Sequence, residues 1–260
     1  MVTERRKITS ISLGERPASV GAEDELALDE PICIFVNGEY HVTLIATPEM
    51  EEELAAGYLL TQGVIDSVDE IDGIEMDDGN VNVTLAGAVD LRGASVSMMN
   101  LIVTACASSP RAENTRTQVP MVSSGLRVEA SRLKDMITEL NSRSSVHRRT
   151  RGTHAAMLCG GDGEVLAFAE DVGRHNAVDK VVGVHALKGG ELGSCVLLST
   201  GRQSGEMVQK ACRVGVPVIS SMTVPLVSGV RLAEASGVTL TSMSGGRLRV
   251  YSAPSRIIVG

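Results

Sequence analysis

Cys106 has the setting that best suits a reactive group. It follows a short apolar run, 100–105, and opens the segment CASSPRAENTRTQVPMVSSG, which has no helical or strand periodicity. A thiol where a strand empties into such a loop is accessible. Arg111 and Arg116 nearby favour the thiolate, the form that attacks sulfur electrophiles. Cys33, Cys195 and Cys212 fall within apolar strand or helix patterns and read as buried small hydrophobes; Cys159, at a strand end beside two glycines, is intermediate. The plain alternative for Cys106 is the same inert burial.

Three further clusters are dense in polar groups. In DVGRHNAVDK (171–180), His175 and Asp179 stand four apart and share a helix face, with Asn176 and Lys180 as the adjacent pair. This is either a capped helix with surface ion pairs or a positioning cluster, including Asp171, in a cleft at the end of a sheet. STGRQSGE (199–206) follows an apolar strand and opens a helix. Free helix N–H groups, the Thr200 and Ser204 hydroxyls and Arg202 form a natural anion cradle there, although a purely structural turn has the same composition. Ser242, Met243, Ser244, Gly245, Gly246 and Arg247 make a glycine turn that delivers an arginine, with Arg249 two residues on. In isolation this is a hairpin turn, and phosphate binding rests on the charge of the surrounding half.

That charge is uneven. The 260-residue chain carries a net −8, yet residues 21–90 hold 18 acids and no Lys or Arg. The remainder holds 14 acids and all 24 bases, a net of +10. An acidic front suits basic protein surfaces, and a basic back suits large anions. Aromatics make up 2% and Trp is absent, which argues against base-stacking recognition of nucleic acid, as does the net acidity. No CxxC pair, H-x-E…P-C-x-x-C or H-E-x-x-H occurs, so no metal site, and no zinc, is expected. Walker A and G-x-S-x-G patterns are missing too. No apolar run approaches the roughly 20 residues of a membrane span. With no apolar stretch behind the charged N-terminus and an odd number of scattered cysteines, a cytoplasmic protein without disulfides is expected.

These groups need a scaffold, and the pattern predicts one of α/β class. Hairpins are expected at 31–47, turning at Asn37-Gly38, and at 71–85. Between them a helix is expected from 48 to about 60, capped by Thr47 with Pro48 first. The back alternates: a helix at 128–140, a hairpin at 154–168, and strands at 195–199, 216–220, 238–241 and 247–251. Helices at 176–187, 204–214 and 226–235 separate them, which implies a mixed or parallel sheet flanked by helices. The expected division is an extension at 1–30, an acidic β-rich part at 31–105, a mobile cysteine loop at 106–125 and an α/β core at 126–260.

GTHAAM (152–157), EDVGRHNAVDKVVG (170–183), LLSTGRQSGEMVQKACRVGVPVISSMTVP (197–225) and NGEYHVTLIATPEMEEELAAGYLLTQGVI (37–65) together resemble the formate dehydrogenase accessory sulfurtransferase (FdhD/NarQ) family. The resemblance implies a cytidine-deaminase-like core without the zinc residues, plus a smaller β-rich part, as a homodimer. It implies a sulfur carrier that takes persulfide sulfur from a cysteine desulfurase. The sulfur goes to a molybdenum (or tungsten) bis-molybdopterin guanine dinucleotide cofactor before insertion into formate dehydrogenase. By position, the persulfide cysteine falls on Cys106 and the cofactor-binding turn on Ser242 to Arg247. Thr200, Arg202, His175 and Asp171 are further candidate contacts. Ser109 stands where the family has a second cysteine, Ser242 replaces an aromatic and Ser244 an arginine. One thiolate suffices to hold a persulfide. The alternative is a cofactor-binding chaperone without sulfur transfer; a deaminase-like hydrolase is opposed by the missing zinc ligands.

Overall fold

The computed structural model describes residues 1–13, 18–77, 79–87 and 120–259. The expected strand at 100–105, Cys106, Ser109, Arg111 and Arg116 lie outside the described residues. Strands β1 (Thr3–Ser12) and β2 (Ala18–Ala27) form an antiparallel ribbon whose pairs include Arg5–Glu25, Arg6–Asp24 and Lys7–Glu23. Sequence reasoning gave this region no structure, because its cross-strand partners are charges rather than alternating apolar residues.

The front is a four-stranded sheet of β3 (Glu30–Val36), β4 (Glu39–Ala46), β5 (Ile71–Asp77) and β6 (Asn80–Leu85), in the order β4-β3-β6-β5. The Asn37-Gly38 turn is present, with φ of 51° and 79°, the left-handed pair that such a two-residue hairpin requires. Ile32, Ile34, Val36, Val81, Val83 and Leu85 are buried on its inner face. Helix α1 (Glu51–Gln62) lies against it and starts later than expected, with Met50 rather than Thr47 at its N-cap. Every polar group of Thr47 is engaged elsewhere. Its N–H donates to Asp171, its hydroxyl accepts from the Val172 N–H, and its carbonyl accepts from Lys180 Nζ. Tertiary bonds therefore outrank the local cap.

The back is a six-stranded sheet in the order β13-β12-β11-β10-β8-β9. Its strands are β8 (His154–Gly160), β9 (Val165–Asp171), β10 (Cys195–Ser199), β11 (Val218–Ser221), β12 (Thr239–Ser244) and β13 (Arg247–Val250). β10, β11 and β12 run parallel, and antiparallel pairings at either side, β10–β8–β9 and β12–β13, make the sheet mixed. One face is covered by α2 (Ala130–Arg143), which buries Leu133, Met136, Ile137 and Leu140. This helix begins two residues later than the pattern predicts, because Val128–Glu129 (β7) pairs with Ile257–Ile258 (β14). The basic stretch forms α3 (Ser145–Thr150), whose Arg149 anchors the ribbon through Glu25 at 2.9 Å.

The other face carries α4 (Arg174–Leu187), α5 (Gly205–Arg213) and α6 (Val227–Ser236), and α1 joins this layer to the front sheet. α4 is enclosed by sheet and helix, so Asn176 through Gly183 are all buried. Among the described residues, no helix is long and apolar enough to cross a membrane.

Candidate functional site

Among the described residues, those selected from the sequence gather at one edge of the back sheet. The carboxyl ends of β10, β11 and β12 point the same way as the start of β8 and the end of β9, since Ser199 pairs with Ala156 and Asp171 with His154. Ligands of α/β sheets collect at this kind of edge, because the loops there converge without obligate pairing. Thr200 closes β10 against β8. Its N–H donates to the Ala155 carbonyl and its hydroxyl accepts from the Ala155 N–H, both at 3.0 Å, with His154 Nδ1 at 3.3 Å. Arg202 follows, its side chain exposed between buried Gly201 and Gln203. Gly201 has to be glycine, since an added Cβ would stand 2.9 Å from the Arg174 side chain.

Not every expected contact reaches the surface. Asp171 is fully buried. It pairs with Lys180 at 2.6 Å and accepts from the N–H groups of Thr47 and Gly173 and from Asn176 Nδ2. Its direct contact with a ligand is therefore replaced by a positioning role: it ties the end of β9 and the start of α4 to the front sheet. Ser242 is likewise buried, its hydroxyl 3.2 Å from that of Tyr251, so it also supports the turn from beneath. Met243 and Ser244 are half-buried, whereas Gly245, Gly246 and Arg247 are exposed, with both glycines in the left-handed region.

Sequence reasoning missed His154 and Arg174. Both are half-buried at this edge, and His154 is pulled below its ordinary pKa by burial, then by Arg174, His147 and Arg202. The signal was available, since only two residues separate His154, which opens a strand, from the basic stretch His147, Arg148, Arg149 and Arg151. Three buried polar atoms, Arg174 Nε, Gln203 Oε1 and Ser204 Oγ, have no hydrogen-bond partner among the described residues. Orphaned groups of this sort mark strain or a bonding partner yet to arrive.

Behind the edge, a pocket of about 190 Å³ opens between α1, α4 and α5, lined by Tyr58, Thr61, His175, Asp179, Glu206 and Lys210 among others. His175 and Asp179 do share this face, as their spacing predicts. At its base Lys210 donates to both Asp179 oxygens at 2.8 Å and to Thr61 at 3.0 Å, and Thr61 donates to Asp179 at 2.6 Å. His175 Nε2 lies 3.5 Å from Glu206, a carboxylate that favours the imidazolium. Burial outweighs it and, with Lys210, Arg174 and His154, pushes the ring down to about 3. His175 is thus a neutral imidazole at physiological pH. Because its folded pKa lies below the unfolded value, the stability it confers is complete above about pH 6.5 and fades as pH falls towards about 3. A His175→Gln chain is expected to lose less stability than the parent between pH 7 and pH 4.5. Urea midpoints at the two pH values check this.

Three of the described thiols are poorly suited to attack. Burial pushes Cys159 up to about 12 and Cys195 up to about 11, and raises Cys212 as well, so all three stay protonated near neutrality. Cys33 is half-buried beside the Thr43 hydroxyl. No group of three or more His, Cys, Asp or Glu residues is arranged to hold a metal among the described residues.

The model of the FdhD/NarQ family matches residues 27–258. Sulfur carrier protein FdhD of Mycolicibacterium paratuberculosis is 34% identical over 238 residues, covering 85% of this chain and 86% of its own. The protein of the same name from Methanothermobacter thermautotrophicus is 35% identical over 240 residues, covering 90% and 92%. The crystal structure of a candidate formate dehydrogenase accessory protein from Desulfotalea psychrophila matches with a TM-score of 0.79. That match spans 99% of this chain and 100% of the other at 27% identity.

Proposed function

The chain belongs to the FdhD/NarQ family, and on that premise we propose that it carries sulfur for formate dehydrogenase. In this reading the Cys106 thiolate attacks the outer sulfur of a cysteine desulfurase persulfide. The donor's S–S bond breaks, its cysteine leaves as the thiolate, and Cys106 holds the persulfide. The outer sulfur then passes to the molybdenum or tungsten of a bis-molybdopterin guanine dinucleotide bound as substrate, and Cys106 leaves as the thiolate. The two electrons that turn sulfane sulfur into sulfide come from the metal in its reduced state. The loaded cofactor passes to the dehydrogenase, and the carrier works as a cytoplasmic homodimer.

The observation that carries the reading is that the matched relatives, aligned over nearly the whole chain, bear the name sulfur carrier protein. Two features of the site support it. Arg174, Arg202 and Arg247 stand on loops and a helix start at the same sheet edge, where three buried polar atoms lack hydrogen-bond partners among the described residues, and guanidinium forks suit phosphates. Three described thiols are buried and held neutral, so none of them competes for the carrier role.

Replacing Cys106 by Ala is expected to abolish sulfur transfer and leave cofactor binding intact, measured with desulfurase, radiolabelled cysteine and the dinucleotide cofactor. Transfer retained by that variant overturns the proposal. A parent chain that binds cofactor but never gains sulfur supports the chaperone reading instead, which Ser109 in the second-cysteine position favours.

A further inference from the structure

A second polar cavity lies at the opposite edge of the back sheet. About 400 Å³ in volume, it is lined by Ser124, Arg127, Gly237, Ala253, Ser255 and Arg256 among others. Its position follows from two contacts. Gly237 stands just before β12, and the Ser124 hydroxyl donates to the carbonyl of Gly193, just before β10. Both mark the amino-terminal ends of parallel strands, so this cavity is separate from the carboxyl-edge site.

Its charge is unbalanced. Arg256 is fixed by three neutral acceptors: Nη1 donates to the Gly237 carbonyl at 2.6 Å and to Thr239 Oγ1 at 3.2 Å, and Nη2 to the Val122 carbonyl at 3.2 Å. Its Nε is buried without a partner. Arg127 is exposed on the rim, and neither guanidinium forms an ion pair among the described residues. Among the described residues, no carboxylate lines the cavity. A half-buried cation with only neutral partners keeps most of its field, and a second guanidinium at the mouth adds to it. The Ser255 hydroxyl and the polar backbone around Gly125 supply further hydrogen-bonding groups. The volume falls in the range of small-molecule pockets, about 300–1,000 Å³, so it exceeds the needs of a lone ion.

We propose that this cavity is a binding site for a phosphate-class anion, with Arg127 as the exposed clamp at its rim and Arg256 as the fixed one. It does not depend on the sulfur-carrier reading, since the two sites occupy opposite sheet edges.

The test is a titration of ¹⁵N-labelled chain with inorganic phosphate at constant ionic strength, followed by amide shifts. Saturable shifts are expected at Gly125, Arg127, Gly237 and Ser255. An Arg127→Ala chain with an otherwise unchanged spectrum is expected to bind at least about tenfold more weakly at those amides, the size of one charge-assisted contact. Glycerol 3-phosphate in a second arm distinguishes the sources. Tighter binding than phosphate assigns the site to the phosphate of an organic ligand, and equal or weaker binding assigns it to free phosphate. Absence of saturable shifts, equal shifts with chloride or acetate, or unchanged affinity in Arg127→Ala overturns the proposal.

Discussion

Gly183→Ala is expected to lower the stability of the folded chain by about 3 kcal/mol or more. The sign is the informative part, because Gly→Ala inside a helix ordinarily stabilises by about 1 kcal/mol. α1 and α4 cross with their backbones in contact: a Cβ on Gly183 would stand 1.9 Å from the Glu53 carbonyl oxygen, and one on Gly57 1.8 Å from that of Asp179. The arrangement is reciprocal. Each helix presents a glycine and, four residues earlier, the carbonyl that meets the other's glycine. Neither obstacle is a side chain that can swing away, so a methyl group must push the two helices apart. That motion would open the layer joining the front sheet to the back. Urea denaturation of the variant reads the effect, and a neutral or stabilising result contradicts the described crossing.

The second large effect is expected from Asp179→Ala, which removes the anionic half of an ion pair that is almost wholly buried. Lys210 would be left in an apolar setting with the Thr61 hydroxyl as its remaining hydrogen-bond acceptor among the described residues and the face of Tyr58 at 5.6 Å. Breaking such a pair from one side costs about 3–5 kcal/mol, whereas replacing both partners by apolar residues is often neutral. Asp179→Leu combined with Lys210→Met is therefore expected to recover most of the loss. Denaturation midpoints of the single and double variants test this, and a double variant as weak as the single one would show that the pair's role is not electrostatic. The pair joins α1, α4 and α5 at the base of the His175 pocket, so its loss is expected to reshape that pocket too.

Local chemistry made much of this fold legible. Asn37-Gly38 and Gly245-Gly246 mark tight turns by residue type alone, and the apolar run at 195–199 between glycine and hydroxyl residues marks a buried strand. The clustering of Thr200, Arg202 and Arg247 at one sheet edge followed from strand ends that the pattern had placed. What escaped was non-local. Thr47 looks like a cap until Asp171 and Lys180, more than a hundred residues away, claim its polar groups. Asp179 reads as His175's neighbour, while its decisive partner Lys210 lies 31 residues on. The β1–β2 ribbon was invisible because charged side chains, not an apolar alternation, face each other across it. Asp171 and Ser242 belong to the right neighbourhood but sit beneath its surface, a matter of burial that residue type does not reveal.

Peptide mass spectrometry shows whether Cys106 holds sulfur. The intact chain is incubated with a cysteine desulfurase and cysteine, then digested with and without reductant. A gain of one sulfur atom is expected on the Cys106 peptide, removed by reductant, and none on the peptides carrying Cys159, Cys195 or Cys212. No gain at Cys106, or the same gain in a Cys106→Ala chain, would contradict it.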